Sequence, residues 1–211
     1  MVAMRRKKPF IIAIAGGSGS GKSCLSRALI AALSPHRAAV IELDYYYRDQ
    51  TRLDRAERDK LNYDHPDSLE LSLLQEHLAA LRAVRPVDVP QYDYALHTRS
   101  SKSLPIDPKP FILVEGILAL HLESLRKAYN LKVYIDTPEA VRLERRLARD
   151  AVERRRTAQS VLEQWNSTVL PMHRQFCEPT KQYSDLVLRG DSDQREILGQ
   201  VLNILGIPEG L

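Results

Sequence analysis

Cysteine is scarce in this 211-residue chain: Cys24 and Cys177 stand alone, with no C-x-x-C pair and no His/Cys cluster. That leaves out a disulfide scaffold and a structural zinc site. Two lone thiols fit a reducing, cytoplasmic compartment. Long apolar runs are missing too. A membrane-crossing helix needs about 20 consecutive apolar residues, and the run Phe10–Ala15 breaks at once into glycines. It is also too short for the apolar core of a signal peptide. The basic start, with Arg5, Arg6, Lys7 and Lys8, therefore reads as a solvated terminus rather than an address, and no membrane partner is expected. Charge of one sign is not concentrated. Lys and Arg number 31 against 27 Asp and Glu, a net +4 with a pI of about 9.1. That suits an enzyme handling polyphosphate anions and gives a nucleic-acid partner only weak support. No repeat, low-complexity segment or linker divides the chain, so residues 1–211 are read as one domain. The hydrophobic fraction of 44% is ordinary for a packed core.

What is present alternates short apolar runs with amphipathic stretches. Residues 9–15 (PFIIAIA) read as a buried parallel strand. Leu25, Ala28, Leu29, Ala32 and Leu33 recur on one face of a helix over 22–33. Further strands are expected at 38–43, 111–114, 131–135 and 186–188. Helices are expected at 68–84, from 139 to about 156, at 160–172 and at 194–205. Residues 44–64 show no period and read as a loop over a site. Residues 86–110 hold five of the twelve prolines and read as an extended hairpin arm outside the core. Thr137-Pro138-Glu139 reads as a helix start, with Thr137 as the cap. The whole predicts an α/β fold: a P-loop NTPase-type parallel sheet with helices on both faces, a β-hairpin arm at about 86–110 and an Arg-rich helical lid at about 142–172.

The strongest motif is GGSGSGKS, comprising Gly16, Gly17, Ser18, Gly19, Ser20, Gly21, Lys22 and Ser23. It follows a predicted strand and opens a predicted helix, as a phosphate-binding P-loop does. Successive backbone N–H groups turn inward around phosphate oxygens, and the helix N-terminus adds positive character there. Lys22 reaches the β- and γ-phosphates, and Ser23 can ligate Mg²⁺. Gly17, Gly19 and Gly21 lack the G-x-G-x-x-G spacing of a dinucleotide site. ATP or GTP is the expected ligand.

A P-loop does not say what receives the phosphate. Asp44 ends the second predicted strand, where a carboxylate could accept a hydroxyl proton, though a turn cap would look the same. Glu115 ends the strand 111–114 with Gly116 beside it, a place for Mg²⁺ contact. Tyr63-Asp64-His65-Pro66-Asp67, and Tyr92-Asp93-Tyr94 with His97 and Arg99, read either as specificity loops or as polar turns. Arg142, Arg145, Arg146 and Arg149 share one helical face, continued by Arg154, Arg155 and Arg156. The stripe suits a lid over developing phosphoryl charge, or a solvated helix paired with Glu144 and Glu153.

The segments NYDHPDSLEL, QYDYALHTR, LVEGILAL, YIDTPEAVRLERRLARDAVERRR and QWNSTVLPMHRQFCEPTKQYSD, in this order with the P-loop and LDYYYR, resemble the uridine kinase (uridine–cytidine kinase) family from about residue 9 to 190. The resemblance implies an enzyme that phosphorylates the 5′-hydroxyl of uridine and cytidine at the expense of ATP with Mg²⁺. In it Asp44 would be the base, and Ser23 and Glu115 would hold the metal. Asp64, helped by Arg146, would bind the ribose hydroxyls. Tyr92 would contact the sugar and Tyr94 would stack near the base, while His97 and Gln164 would read the base edge. Arg149, Arg154 and Arg156 would close over the phosphates. A homotetramer inhibited by pyrimidine triphosphates is implied as well. Three departures stand out. Arg155 occupies a position usually held by glycine, Tyr63 and Tyr94 replace phenylalanines, and Tyr45 and Tyr46 make the segment after Asp44 bulky. Rival readings are a kinase of the same fold acting on pantothenate, phosphoribulose or nicotinamide riboside, a nucleic-acid-binding ATPase, and a GTPase switch or regulatory nucleotide-binding module. A GTPase switch lacks its N-K-x-D run here.

Overall fold

In β1 (Phe10–Ala15) successive side chains point to opposite faces, and both faces are apolar. Ile11, Ala13 and Ala15 pack in one cluster, and Ile12 and Ile14 in the other. Such a strand is stable only at the centre of a sheet covered on both sides. The computed structural model, which describes residues 8–94 and 96–208, places it there. The basic start up to residue 7 lies outside the described residues.

After β1 come α1 (Lys22–Leu33), β2 (Ala38–Glu42), α2 (Arg55–Asp59), α3 (Leu71–Arg82), β3 (Val87–Asp93), β4 (Thr98–Ile106), β5 (Phe111–Glu115), α4 (Glu123–Ala128), β6 (Leu131–Asp136), α5 (Glu139–Glu153), α6 (Ala158–Gln164), α7 (Leu170–Met172), β7 (Leu186–Arg189) and α8 (Gln194–Ile204). The main sheet has the order β2-β5-β1-β6-β7, all parallel. One face is covered by α1 and α8 through Leu25, Leu29, Val201 and Leu202. The other is covered by α3 and α4 through Leu74, Leu78, Leu81 and Leu125. The α/β fold with helices on both faces is as the pattern predicts.

Several elements differ from the sequence reading. The hairpin β3–β4 is not outside the core: Val87, Val89, Tyr92 and Ile106 are buried in the main cluster, while Asp88 and the middle of β4 around Ser101–Ser103 are exposed. Alternate apolar side chains on β3 bury one face, which the prolines of the segment obscure. Residues 44–64 are partly ordered, as a 3₁₀ turn at Leu43–Tyr46 and as α2. A capping box between Asp54 and Glu57 holds α2. Thr137 does not cap α5. Its hydroxyl donates to the Ser20 carbonyl (3.0 Å), tying β6 to the phosphate loop, and Pro138 stands at the cap without a side-chain bond. The predicted helix over 160–172 is α6 and α7 joined by a π-helical turn at Trp165–Val169, with a second such turn at His173–Cys177. The first of these turns carries buried Trp165 and Val169.

Candidate active site

The loop from Gly16 to Gly21 connects β1 to α1, so phosphate-binding N–H groups and the helix N-terminus carrying Lys22 and Ser23 meet at the end of the central strand. At Gly19, φ is +78°, and an added Cβ would lie 2.3 Å from the Arg142 carbonyl oxygen; only glycine fits. Lys22 Nζ donates to the Gly16 and Gly17 carbonyls, each at 2.9 Å. Burial pulls this ammonium below the ordinary lysine range, opposed in part by the nearby Glu115 and Asp44 carboxylates.

Those carboxylates converge from neighbouring strand ends. Glu42 and Glu115 are register partners on β2 and β5, and Asp44 sits in the 3₁₀ turn just beyond β2. Glu115 is buried and accepts a hydrogen bond from Ser26 Oγ (2.8 Å). Gly116 beside it lets Leu43 approach, since a Cβ there would lie 2.3 Å from Leu43 Cβ. Burial raises Asp44, with Lys22 and Arg154 opposing; burial also raises Glu42, aided by the like charge of Glu115. No group of three or more His, Cys, Asp or Glu forms a metal cage among the described residues. A magnesium site needs only one or two protein ligands when phosphates supply the rest. Mutually repelling carboxylates at Glu42 and Glu115 suit such an ion, and the Ser23 hydroxyl at the start of α1 is exposed and free to join them.

A cleft of about 770 Å³ opens over this floor. It is lined by Ser18, Asp44, Asp64, Tyr92, Tyr94, His97, Arg146, Arg149, Arg154, Arg156 and Gln164, so the acceptor candidates and the late arginines share one cleft, which the phosphate loop enters at Ser18 alone; Lys22, Ser23 and Glu115 do not line it. Tyr47, Tyr63, Tyr92 and Tyr94 form one wall, with ring centroids 5.0 Å apart for Tyr47–Tyr92 and 5.4 Å for Tyr92–Tyr94. The Tyr92 hydroxyl is buried with no hydrogen-bond partner among the described residues. His97 sets its ring edge-on to Tyr63 at 5.5 Å, with Nδ1 buried 3.3 Å from Asp59 Oδ1. Burial, together with Arg55, lowers its pKa, so the imidazole is neutral at pH 7. Burial raises the Asp64 carboxyl, and Arg146 opposes this. Arg99 takes no part; it pairs with Glu70 (2.8 Å) and the Tyr47 carbonyl (2.9 Å), fastening the hairpin.

The arginine stripe divides. Arg142 is buried beside Gly17, donates to the Thr137 carbonyl and lies 5.2 Å over the Trp165 ring, so it anchors α5. Arg145 bonds the Gly190 carbonyl. Arg146 donates to Ser18 Oγ (2.8 Å) and to Gln164 Oε1 (2.9 Å), and Arg156 donates to the same Gln164 oxygen. The cleft-facing arginines of the stripe thus cluster at the C-terminal end of α5 and in the turn beyond it. In that turn Arg155 has φ +52°, the left-handed conformation that explains why glycine would be at home there.

The sequence profile of the Phosphoribulokinase / Uridine kinase family matches residues 11–195. The chain belongs to that family. Uridine kinase of Geobacillus kaustophilus is 50% identical over 182 residues, 86% of each chain. Uridine kinase of Streptococcus mutans is 49% identical over 183 residues, 87% of this chain and 88% of the relative. In fold, the chain resembles phosphoribulokinase of Rhodobacter spheroides, with a TM-score of 0.61 and 14% identity over 89% of this chain and 74% of that one. It also resembles D-glycerate 3-kinase of Cryptococcus neoformans, with a TM-score of 0.60 and 16% identity over 82% and 80%.

Some residues of this family member's cleft carry no sequence signal. Asp59 lines it without belonging to a motif, and Tyr47 and Ile117, though inside LDYYYR and LVEGILAL, have no role assigned to them there. Ser26, the partner of Glu115, reads as just another position on α1. Asp150 lies hidden within the arginine stretch.

Proposed function

We propose that this chain transfers the γ-phosphoryl group of ATP (or GTP) to the 5′-hydroxyl of uridine and cytidine, giving UMP or CMP and the nucleoside diphosphate. The observation that carries the reading is a single cleft joining three things: the phosphate loop at Ser18, a half-buried carboxylate at Asp44, and a tyrosine wall ending in His97. Identity near 50% to uridine kinases supports the choice of acceptor.

In this reading Asp64 and Arg146 hold the ribose hydroxyls, Tyr92 touches the sugar, and Tyr94 lies along the base. His97 and Gln164 face the base edge. The ribose 5′-hydroxyl then points toward Asp44, which orients it and takes its proton as the new P–O bond forms and the bond to the nucleoside diphosphate breaks. Lys22 exchanges its bonds to the Gly16 and Gly17 carbonyls for phosphate oxygens. Arg149, Arg154 and Arg156 meet the charge that spreads over the transferring group. Ser23 and Glu115 would hold Mg²⁺, which neutralises phosphate charge when bound. The same reading makes the protein a cytoplasmic homo-oligomer, a tetramer by family likeness, in keeping with two free thiols. None of the helices among the described residues is long and apolar enough to cross a membrane.

The test is a coupled ADP-release assay with uridine, cytidine, pantothenate, ribulose 5-phosphate or no acceptor. Turnover with the two pyrimidine nucleosides alone is expected. Turnover with pantothenate or ribulose 5-phosphate in their place, or equal ATP consumption without acceptor, overturns the assignment.

A further inference from the structure

The buried residues of α5 are Arg142, Arg146 and Asp150, a charged stripe at i, i+4 and i+8 where a surface helix normally buries apolar side chains. Burying ions has a large desolvation cost and returns little hydrophobic gain, so such a stripe persists only where the charges pair. Asp150 is completely buried, at 0% exposure, and is not among the cleft-lining residues. Its Oδ1 accepts from Arg149 Nε (2.9 Å) and lies 2.8 Å from a second nitrogen of the same guanidinium. Arg154 Nε is 3.8 Å from Oδ1. Its Oδ2 has no hydrogen bond among the described residues, yet Arg146 Nε stands 3.5 Å away and Arg156 3.7 Å away. The Asp150 carbonyl meanwhile accepts the backbone N–H groups of Arg154 (3.3 Å) and Arg156 (3.0 Å), closing the turn in which Arg155 is left-handed.

One residue therefore reaches, by side chain or main chain, every cleft-facing arginine of the stripe except Arg155, whose turn it closes. All of them lie on the cleft side and Asp150 lies behind them. Cations this close repel each other and would otherwise splay into solvent. Arg149 is the one gripped at hydrogen-bond distance, while Arg146 and Arg156 are drawn without being saturated, leaving their donors for Gln164 and for substrate.

We propose that Asp150 is the positioning residue of the phosphoryl-transfer arginines: a buried counter-charge that aims Arg149 and holds the 154–156 turn over the phosphates without touching the substrate. This rests on the kinase reading above. The preorganised direction of the guanidinium groups matters in the transition state, so Asp150 contributes to turnover rather than to nucleotide affinity.

The test compares wild type, Asp150→Asn, Arg149→Ala and the double variant, with turnover on uridine at saturation and ATP affinity by calorimetry. Asparagine keeps the shape and one acceptor but loses the charge. The expected result is a fall in kcat of roughly tenfold to a hundredfold, the scale of misaligned catalytic groups. ATP affinity should stay within about threefold of wild type or tighten, since a negative charge has left the anion's neighbourhood. In the double variant the loss from Asp150→Asn should be much smaller than in wild type, because the charge acts chiefly through Arg149 and asparagine keeps the main-chain carbonyl that closes the 154–156 turn. A kcat within about threefold of wild type, an ATP affinity loss of tenfold or more, or losses that multiply in the double variant would each overturn the proposal. If circular dichroism finds Asp150→Asn unfolded, Asp150→Glu takes its place. It keeps the charge but displaces it, and the same split between kcat and affinity is required. Wild-type turnover on uridine is measured alongside, so failure of the kinase reading shows separately.

Discussion

Replacing Asp44 with asparagine separates what the carboxylate does for the reaction from what it does to the fold. The amide of Asp44→Asn would keep the shape and could still orient a hydroxyl, but it cannot take its proton. General-base groups contribute about 10²- to 10⁴-fold, so kcat should fall by that factor, equivalent to about 2.7–5.5 kcal/mol of barrier. Stability should move the other way. Burial raises the Asp44 pKa above its unfolded value of 3.8, even though Lys22 and Arg154 oppose it, so desolvation outweighs attraction. A folded pKa raised above the unfolded one gives stability that is fully present below the unfolded value and is lost as pH rises through the folded value. At pH 7.5, well above the unfolded value, burying this carboxyl is therefore a burden, which the neutral amide lifts. Each 1 kcal/mol so relieved raises the melting temperature of a chain this size by about 2–4 °C. The expected signature is a large loss of uridine turnover together with a melting temperature above wild type at pH 7.5, the gap closing as pH falls toward 4. Coupled ADP release and calorimetric melting across pH measure both. Turnover within a few-fold of wild type removes Asp44 from the base role, and a melting temperature below wild type at neutral pH refutes the electrostatic account.

At Arg155, glycine relieves a left-handed backbone cost of about 1–2 kcal/mol while adding about 0.5–1 kcal/mol of unfolded-state entropy. Arg155→Gly should therefore melt above Arg155→Ala, which keeps the strain, and the reverse order would refute the conformational reading. His97→Tyr should skew the ratio of kcat/KM for uridine and cytidine, which neutral imidazole keeps comparable by donating to one base and accepting from the other; an unchanged ratio would mean that the base is read elsewhere. Glu115→Gln keeps the contact with Ser26 but loses a charge, so the Mg²⁺ concentration for half-maximal rate should rise several-fold. An unshifted magnesium titration would assign Glu115 to structure alone.

The main sheet is legible in the sequence because its strands are short, mostly apolar runs and the central ones, β1 and β5, are apolar on both faces, a pattern that few other environments produce. The phosphate loop is legible because glycine spacing, a preceding strand and a following helix all agree. The hairpin misleads where composition and alternation conflict: prolines suggest exposure, while Val87 and Val89 bury one face. The short helix α4, Glu-Ser-Leu-Arg-Lys-Ala, spans too few turns to show a period and buries only Leu125. The π-helical turns leave no mark at all, since one extra residue per turn changes packing and not residue type. The arginine stripe is legible as a one-sided face, but not which arginines it buries. Arg142 and Arg146 are inside because Trp165, Gln164 and the phosphate loop come to meet them, a long-range fact that no local window holds.

The order β2-β5-β1-β6-β7 also constrains how the chain is born. β1 pairs with β5, Phe10 opposite Phe111, and with β6, Ile12 opposite Leu131. During synthesis at about 5–20 residues per second, the first central strand waits roughly 5–20 seconds for its first neighbour to be made. Until then Ile11, Ile12 and Ile14 have no sheet to enter, and the phosphate loop has no fixed strand to hang from. The hairpin β3–β4 pairs residues close in sequence and can close within microseconds of its synthesis. Nucleotide binding is thus a late event in the life of each molecule, gated by the arrival of β5 and β6, and the exposed interval of β1 is where a nascent chain is most open to wrong strand partners.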